Sequence, residues 1–407
     1  MRIMVINSGS SSIKFRLTDV AEENAKRGGG QAVLLDGAVK GIGGAATLTV
    51  RRQQSSGSTT AIDVDDHSHA MQAIFNRLGD SVRAIEAVGH RVVHGGDRYM
   101  ESTVITPQVE ADIDALSELA PLHNPACLAG IRGAKKVMGE AVPMVAVFDT
   151  AFHRTLPEVA RHYAIPDDLA DRHRIRRYGF HGIAHASLAN GYAACTGTSL
   201  KQARIITAQL GNGCSIAAIA QGKSVETSMG FTPLEGLVMG TRSGDVDPSL
   251  VSFLAEREKV EPAEVERWLN ERSGLLGLSG RSNDMRELLR AAEEEGDRRA
   301  ELAIDLFCYR ARRYLGGYLA VLGGADAIIF GGGIGENAPE VRKRICQNME
   351  WCGITLQSDR NQAAVGLAAG SAAKISRDDS KLAVYVVAAD EESWIATETA
   401  RCVRAIG

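Results

Sequence analysis

Three turns rich in glycine or serine follow apolar stretches of the sequence, and each has the composition of a phosphate-binding loop. They are NSGSSS at residues 7–12, LGNGCS at 210–215 and FGGGIGEN at 330–337, the last leading into a predicted helix. Phosphate oxygens are bound by backbone N–H groups and hydroxyls where glycine lets the backbone approach closely, and helix N-termini favour anions. None fits the GxxxxGK[ST] pattern of a Walker loop. One such turn alone is usually an ordinary polar loop, but three in one chain favour a nucleotide ligand.

Two arginines lie close to glycines in stretches with few charges. Arg91 is in GHRVVHGG, and Arg242 is in MGTRSGDVDP. A guanidinium forms paired hydrogen bonds with carboxylate or phosphate groups. Either arginine alone would most often be a surface or salt-bridge residue, so the pair is a hypothesis for an anion site.

Four single residues are further candidates. Asp149 follows the apolar stretch MVAVF, and acids at the carboxyl ends of strands often serve metal or phosphate sites. Glu391 lies in ADEES near the end of the sequence. His123 and His181 are weaker candidates, because a lone histidine more often has a structural role.

Two predicted hairpins must position these turns. Residues 2–6 and 13–17 predict strands joined by the first turn, and residues 204–220 predict a second hairpin around LGNGCS. Each hairpin opens a region of alternating strands and helices, so we infer a duplicated, two-lobed α/β fold. We place the domain boundary near residue 150, where the composition changes.

Local signals predict three element boundaries. Asp36-Gly37 is a turn signal within VLLDGAVKGI. Asn124 can cap a helix whose first position suits Pro125. Asn337 can cap another helix, with Glu340 three residues later as in a capping box.

Composition and charge exclude several classes of protein. The formal net charge is -4 and hydrophobic residues make up 44% of 407 residues, an ordinary balance that disfavours a dedicated nucleic-acid-binding protein. The seven cysteines show no CxxC spacing, which argues against a disulfide scaffold or structural zinc. No apolar stretch of about twenty residues could span a membrane. We therefore expect a soluble protein of a reducing compartment.

Together, these motifs resemble those of the acetate kinase family, in order and over nearly the whole chain. The matching segments are VINSGSSSIKF, GHRVVHGG, PLHNPA, FDTAFH, YGFHG, LGNG, TSMGFTPLEGLVMGTRSGDVDP, SGLLG, GGGIGEN and the terminal DEE. The resemblance implies a duplicated two-lobe actin-like ATPase fold of the ribonuclease H-like class, with a nucleotide and substrate cleft between the lobes. It implies an N-terminal lobe of residues 1–150, completed by a C-terminal helix at about 388–407, and a nucleotide-binding lobe of residues 151–387.

The resemblance also implies a reaction and its partners. Acetate kinases transfer the γ-phosphoryl group of ATP reversibly to acetate, giving acetyl phosphate and ADP, with Mg²⁺ or, as an alternative, Mn²⁺. Acetate is already ionised at neutral pH, so direct in-line transfer needs positioning and charge neutralisation rather than a base. A cytoplasmic homodimer with no nucleic-acid or membrane partner is expected.

Roles in catalysis and metal binding follow from the same resemblance. Arg91 and Arg242 would hold the carboxylate and the transferring phosphoryl group, and His181 would stabilise charge on that group. Asn7 would help to place the phosphoryl group, and Asp149 and Glu391 would serve Mg²⁺ and the site geometry. The metal-binding residues would be Asn7 and Glu391.

Binding residues are implied in two further groups. The pocket for the acetate methyl group, next to Arg91, would be formed by Val93, Leu122, Phe180 and Pro233. Nucleotide binding is expected from Lys14, His123, Gln209, Leu210, Gly211, Asn212, Gly213, Asp284, Met285, Arg286, Gly332, Gly333, Ile334, Gly335 and Asn337.

Departures from the family pattern leave the substrate open. Gln209 replaces a histidine, which predicts weaker phosphate stabilisation, and Ile183 and Ala184 replace two hydroxyl residues. The nearest alternative is a kinase for propionate or another short carboxylate, because one methylene contributes only about 1–3 kcal/mol of discrimination. A pyrophosphate-dependent kinase, an actin-like ATPase and a sugar kinase are more distant alternatives.

Overall fold

Two separately packed units make up the chain. The computed structural model describes residues 1–21, 31–52, 57–121 and 123–406. Unit 1 contains Met1–Arg154 and Asp390–Gly407, and unit 2 contains Thr155–Ala389.

Strands and helices alternate through much of the chain. The strands are β1 (Arg2–Ser8), β2 (Ser12–Asp19), β3 (Ala32–Lys40), β4 (Ala46–Arg52), β5 (Ser58–Ile62), β6 (Ala87–Val92), β7 (Thr103–Val104), β8 (Met144–Phe148), β9 (Arg204–Leu210), β10 (Cys214–Ala220), β11 (Lys223–Thr227), β12 (Ala327–Gly331), β13 (Ala372–Lys374) and β14 (Ala383–Val387). The α-helices are α1 (His67–Leu78), α2 (Pro107–Ala115), α3 (Asn124–Met138), α4 (Glu158–Arg161), α5 (Asp167–His173), α6 (Gly182–Thr196), α7 (Ser249–Glu258), α8 (Pro262–Glu271), α9 (Gly274–Ser279), α10 (Met285–Glu294), α11 (Arg298–Leu322), α12 (Gly332–Asn337), α13 (Pro339–Cys346), α14 (Ser358–Ala363) and α15 (Glu391–Arg404). Short 3₁₀ helices occupy Gly79–Ala84, Leu116–Glu118, Ala151–Thr155, Leu200–Gln202 and Glu350–Cys352.

The sheet of unit 1 has the order β5-β4-β3-β2-β1-β6-β8-β7. β1 is antiparallel to β2 and parallel to β6, and β6 is parallel to β8. One face packs on α1 and α3, where Val88 joins the buried core with Ile74 and Ala134. The adjacent Gly89 faces α15, because an added Cβ there would lie 2.2 Å from Thr399 Oγ1. Successive strand residues point to opposite faces, so helices cover both sides of β6.

The sheet of unit 2 has the order β11-β10-β9-β12-β14-β13. β9 is antiparallel to β10 and parallel to β12, and β12 is parallel to β14. The run β11-β10-β9-β12-β14 therefore repeats β3-β2-β1-β6-β8 of unit 1 strand for strand. The duplicated α/β fold predicted from the two hairpins is confirmed.

The first predicted hairpin is confirmed, with a shorter turn than the sequence suggested. Asn7 and Ser8 belong to β1 and Ser12 belongs to β2, so only residues 9–11 lie between the strands. Gly9 N donates to Ser12 O at 2.8 Å and closes this turn.

The Asp36-Gly37 turn prediction is wrong, because both residues lie inside β3. An added Cβ on Gly37 would lie 2.4 Å from Phe15 Cζ and 2.3 Å from Thr49 O. Gly37 therefore makes room for an aromatic ring on the neighbouring strand.

Both predicted asparagine caps are also wrong. Asn124 lies inside α3, and its side chain accepts from His94 N and donates to His94 O, each at 3.1 Å. Asn337 ends α12 and donates to Gly333 O at 3.1 Å, while Ala338 precedes α13. In both cases, the side-chain oxygen that a cap would use accepts instead from a backbone N–H elsewhere in the chain, His94 N for Asn124 and Gly366 N for Asn337.

The seven cysteines are free thiols. No helix in the described part of the chain is both long and apolar enough to cross a membrane.

Arg342 is fully buried and holds two helix ends together. Its guanidinium donates to Gly335 O and Glu336 O in α12, each at 2.9 Å, and to Asn361 Oδ1 at 2.8 Å. Burial lowers its pKa to about 10. The arginine thus satisfies carbonyl groups at the end of the helix that follows β12.

We predict that Arg342→Met lowers the free energy of unfolding by about 3 kcal/mol, because it leaves several buried carbonyls without donors. Urea denaturation measures the change. Lys343→Met is the matched control, since this neighbouring side chain is 67% exposed. Equal effects of the two substitutions would contradict the role of Arg342.

Candidate active site

Four polar side chains of unit 1 lie at the ends of its parallel strands and at the start of α15. They are Asn7 in β1, Arg91 in β6, Asp149 after β8 and Glu391 in α15. Arg91 Nε donates to Asp149 Oδ2 at 3.0 Å, and Nη2 donates to the same oxygen. Arg91 Nη1 donates to Asn7 Oδ1 at 3.1 Å. Asp149 is only 2% exposed, so this ion pair is largely shielded from water.

Glu391 gives this cluster an excess of negative charge. Burial raises its pKa to about 7, and the charge of Asp149 adds to the effect, whereas Arg91 opposes it. Burial alone would lower the pKa of Arg91, but Asp149 and Glu391 raise it above its usual value. Two carboxylates therefore share one guanidinium, which is an environment that favours a further cation.

The chemistry of this donor set fits Mg²⁺. In the described ranges, no group of three or more His, Cys, Asp or Glu side chains is arranged to hold a metal ion. Mg²⁺ is commonly held by one or two carboxylates, with waters and substrate phosphates completing its shell. The incompletely compensated charge of Asp149 and Glu391 meets that requirement, and the Asn7 amide oxygen is a further possible ligand.

The remaining candidates of unit 1 have more varied positions. Lys14 is exposed on β2 opposite Asn7, and its charge acts on Glu391. His123 is half-buried immediately before α3, and Val93 is buried just after β6. Leu122 lies outside the described residues.

Arg242 and His181 of unit 2 converge on Gly213. An added Cβ on Gly213 would lie 3.3 Å from His181 Nε2 and 3.7 Å from Arg242 Nη1. His181 precedes α6 with a positive φ of 57°. A side chain at position 213 would fill the space between the imidazole and the guanidinium, so glycine keeps both groups accessible to a ligand.

Arg242 has a charge that its protein surroundings leave uncompensated. Burial lowers its pKa. Its Nη1 donates to Pro233 O at 3.3 Å. Within the described residues, no ion pair joins it to a carboxylate. A partly buried guanidinium without a carboxylate partner is suited to binding an anionic ligand.

Close backbone contacts fix the segment that carries Arg242. Gly240 N donates to Asn212 O at 2.8 Å, which ties this segment to the LGNG turn. Gly274 has φ +59°, and an added Cβ would lie 2.2 Å from Met239 O and 2.7 Å from Arg242 O. The glycine of SGLLG is therefore required for this approach.

The turns after β9 and β12 lie side by side, since these strands are parallel neighbours. An added Cβ on Gly332 would lie 2.7 Å from Leu210 O, and one on Gly211 would lie 4.0 Å from Gly333 N. Around Gly333, an added Cβ meets nothing within 4 Å. Two of the three predicted phosphate-binding turns are thus brought together around open space.

The helix N-terminus that follows the GGGIGEN turn is a weaker argument for an anion site than the sequence suggested. α12 has only 6 residues, and Gly332 N donates to Glu336 Oε1 at 2.9 Å. This N–H is therefore already used within the helix. The Gln209 side chain lies beside Gly332, with Cδ 3.0 Å from the position of an added Cβ.

The Asp284 segment lies near the same turns through Asn283, whose Nδ2 donates to Asn212 Oδ1 at 3.2 Å. Asp284 caps α10, and its side chain accepts from Arg286 N and Nε. Hydrogen bonding from Arg286 lowers the pKa of Asp284 to about 2. Arg286 is exposed and Met285 is buried.

The predicted pocket residues fall in both units. Phe180 is 2% exposed and precedes His181, while Pro233 contacts Arg242 through its carbonyl oxygen. Val93 belongs to unit 1. The other nucleotide candidates surround the second and third turns, and they are Leu210, Ile334, Gly335 and Asn337.

Three buried polar residues behind His181 were missed by sequence reasoning as site residues. His181 Nδ1 and His185 Nε2 lie 2.9 and 2.8 Å from Ser215 Oγ, and His185 Nδ1 lies 2.8 Å from Thr207 Oγ1. His185, Ser215 and Thr207 are each 0% exposed. A usable signal was the i, i+4 spacing of the histidines, which places them on one helix face.

We predict that Glu391→Gln raises the melting temperature of the ligand-free protein at about pH 8. The folded-state pKa of Glu391 is raised above its unfolded value, so ionisation disfavours the folded state, and stability falls as pH rises from about 5 towards 7. The gain should therefore disappear near pH 5. Calorimetry across this pH range measures the effect.

Glu398→Gln is the matched control, because it lies on the same helix, removes an ion pair of 2.9 Å with Arg401 and should give no stabilisation. A fall in melting temperature at about pH 8 for Glu391→Gln would contradict the charge excess.

Comparisons with known proteins agree over the whole chain. The sequence model of the acetokinase family matches residues 2–397. An acetate kinase of Solibacter usitatus is 47% identical over 412 residues, covering 99% of this chain and 98% of the relative. The crystal structure of Porphyromonas gingivalis acetate kinase has a TM-score of 0.90 and 40% identity, covering 99% of both chains. That of a Francisella tularensis propionate kinase has a TM-score of 0.89 and 37% identity, covering 98% of this chain and 99% of the other. The motifs, the duplicated sheets and these full-length matches together show that the chain belongs to the acetokinase family.

Proposed function

We propose that the chain transfers the γ-phosphoryl group of ATP reversibly to acetate, forming acetyl phosphate and ADP. The observation that carries the proposal is Arg242, a partly buried guanidinium without a carboxylate partner in the described residues, beside His181 and Gly213. Relatives named acetate kinase, at 47% and 45% identity, support acetate as the acceptor.

The reaction brings two anions together, so charge neutralisation is its main requirement. Acetate is ionised near neutral pH and needs no general base. The transferred phosphoryl group carries charge on its equatorial oxygens as the bonds to the donor and acceptor oxygens change. Arg242 and His181 donate hydrogen bonds to those oxygens, and their fixed positions avoid reorganisation during the reaction.

Arg91 binds the carboxylate or the phosphoryl group with its remaining donors. A guanidinium has five N–H groups, and three of those in Arg91 donate to Asp149 and Asn7. Two are left for an anionic oxygen. Asp149 and Asn7 therefore orient the guanidinium as well as holding it.

Mg²⁺ would be held by Asp149, Glu391 and the amide oxygen of Asn7. When bound, it neutralises part of the charge on the phosphate groups. The negative charge of Asp149 and Glu391 would limit repulsion between the cation and Arg91.

The nucleotide binds to the turns of unit 2. Open space around Gly333 and its closeness to Gly211 support a phosphate chain passing there. The Asp284-Arg286 pair, tied to Asn212 through Asn283, would contact the adenosine. The remaining nucleotide contacts expected from the family motifs, including Lys14 and His123 of unit 1, stay predictions.

Propionate is the second candidate acceptor, because the Francisella tularensis propionate kinase is nearly as similar in structure as the Porphyromonas gingivalis acetate kinase. Val93 supports acetate as the acceptor. It is buried, and its side chain leaves less depth for a longer acyl chain than alanine or glycine would. Cytoplasmic location and a homodimer are part of the proposal, and the free thiols support a reducing compartment.

The proposed function predicts acyl phosphate formation from ATP, Mg²⁺ and acetate. Trapping the product with hydroxylamine measures it, and the comparison of kcat/KM for acetate and propionate measures preference. We expect acetate to be preferred by about tenfold. A preference for propionate would establish the second candidate, and no product with any short carboxylate would refute both.

Arg91→Ala and Arg242→Ala should each lower kcat by about 100-fold or more, because each removes charge stabilisation from the transition state. Arg267→Ala is the control, since its side chain is 60% exposed on α8. Steady-state kinetics with acetate and ATP measures all three. Near-normal turnover in either active-site variant, with the control unchanged, would rule out that arginine's role.

A further inference from the structure

A chain of hydrogen bonds runs from His181 into the interior of unit 2. It joins His181 to Ser215 in β10, Ser215 to His185 in α6, and His185 to Thr207 in β9, with separations of 2.8–2.9 Å. The three inner residues are completely buried. Bulk water therefore cannot replace a missing partner in this chain.

The order of the donors along this chain determines which nitrogen of His181 carries hydrogen. A neutral imidazole has one N–H donor and one acceptor nitrogen, and a serine hydroxyl donates one hydrogen bond. If Thr207 donates to His185 Nδ1, then His185 Nε2 donates to Ser215 and Ser215 donates to His181 Nδ1. His181 then carries its hydrogen on Nε2. The reverse order would place that hydrogen on Nδ1.

The surroundings of His181 favour the first order. Its Nε2 and Arg242 Nη1 reach within 3.3 and 3.7 Å of the same point beside Gly213. Nδ1 is occupied by Ser215 Oγ at 2.9 Å, so Nε2 is the ring nitrogen that faces this point. Neutral His181 can donate a hydrogen bond to an anion at this point only from Nε2.

We propose that Ser215 and His185 are positioning residues that hold His181 in its Nε2–H form, so that it donates to the phosphoryl group. The inference rests on the proposed phosphoryl transfer, but the hydrogen-bond chain acts on His181 whether or not substrate is present. Thr207 lies at the inner end of the chain, and in this order its hydroxyl donates to His185 Nδ1. His181 also has a positive φ of 57°, a backbone conformation that is uncommon for residues other than glycine.

Ser215→Ala tests this proposal because it removes one hydroxyl and leaves little change in volume. We expect kcat to fall by about tenfold or more, as when an outer hydrogen-bond partner of a functional histidine is removed. The KM values for ATP and acetate should stay within about twofold, because the effect falls on transition-state stabilisation. Ser376→Ala is the matched control, since Ser376 is also 0% exposed in unit 2 and its Oγ accepts from Val384 N at 3.1 Å.

A double-mutant cycle separates positioning from a general structural role. In a His181→Ala background, Ser215→Ala should cause no further loss of kcat, because the residue through which it acts is absent. An equal loss of kcat in both backgrounds would overturn the proposal.

Nitrogen-15 NMR of the ligand-free protein gives a readout independent of turnover. The His181 signals, assigned by their loss in His181→Ala, should show the Nε2–H form in the wild type and a larger Nδ1–H population in Ser215→Ala. An Nδ1–H wild type, or an unchanged ratio in Ser215→Ala, would overturn the proposal. If the wild type makes no acyl phosphate but shows these tautomers, the proposed function fails while the hydrogen-bond chain stands.

Discussion

Charge buried at the ends of parallel strands is the constraint on which the rest of the structure depends. In unit 1, Arg91 is paired with Asp149 and hydrogen-bonded to Asn7, yet Glu391 leaves the group with one carboxylate too many. In unit 2, Arg242 has no such partner among the described residues. Arg242 comes from the segment between β11 and α7 rather than from a strand end. Unit 1 therefore has an excess of negative charge suited to a cation, and unit 2 has an uncompensated positive charge suited to an anion. Binding of magnesium and phosphate would correct both.

Much of the fold could be predicted because its signals are local and repeated. The hairpins β1-β2 and β9-β10 each combine apolar strands with a small-residue turn, and the repeat indicated a duplicated fold. The candidate arginines could be found because few other charges surround them in the sequence. Residue roles within the site came from resemblance to a family, and contacts with substrate stay predictions.

The errors share a physical cause, which is competition from distant parts of the chain. Gly37 has the sequence of a turn, but the ring of Phe15 requires a glycine in the middle of a strand. Asn124 has the sequence of a cap, but the backbone of His94 takes both ends of its amide. The sequence also gives no sign that the guanidinium of Arg342 is fully buried. A sequence pattern cannot show which distant carbonyl will need a donor.

The return of α15 to unit 1 has a consequence for synthesis on the ribosome. Residues 1–154 emerge first, but β6 lacks the helix over Gly89 until residues 391–404 have been made. All of unit 2 is translated in that interval. During that interval, one apolar face of the sheet in unit 1 is uncovered. Arg91 and Asp149 also lack the nearby carboxylate of Glu391. Chaperone binding to that face during translation would protect it from aggregation.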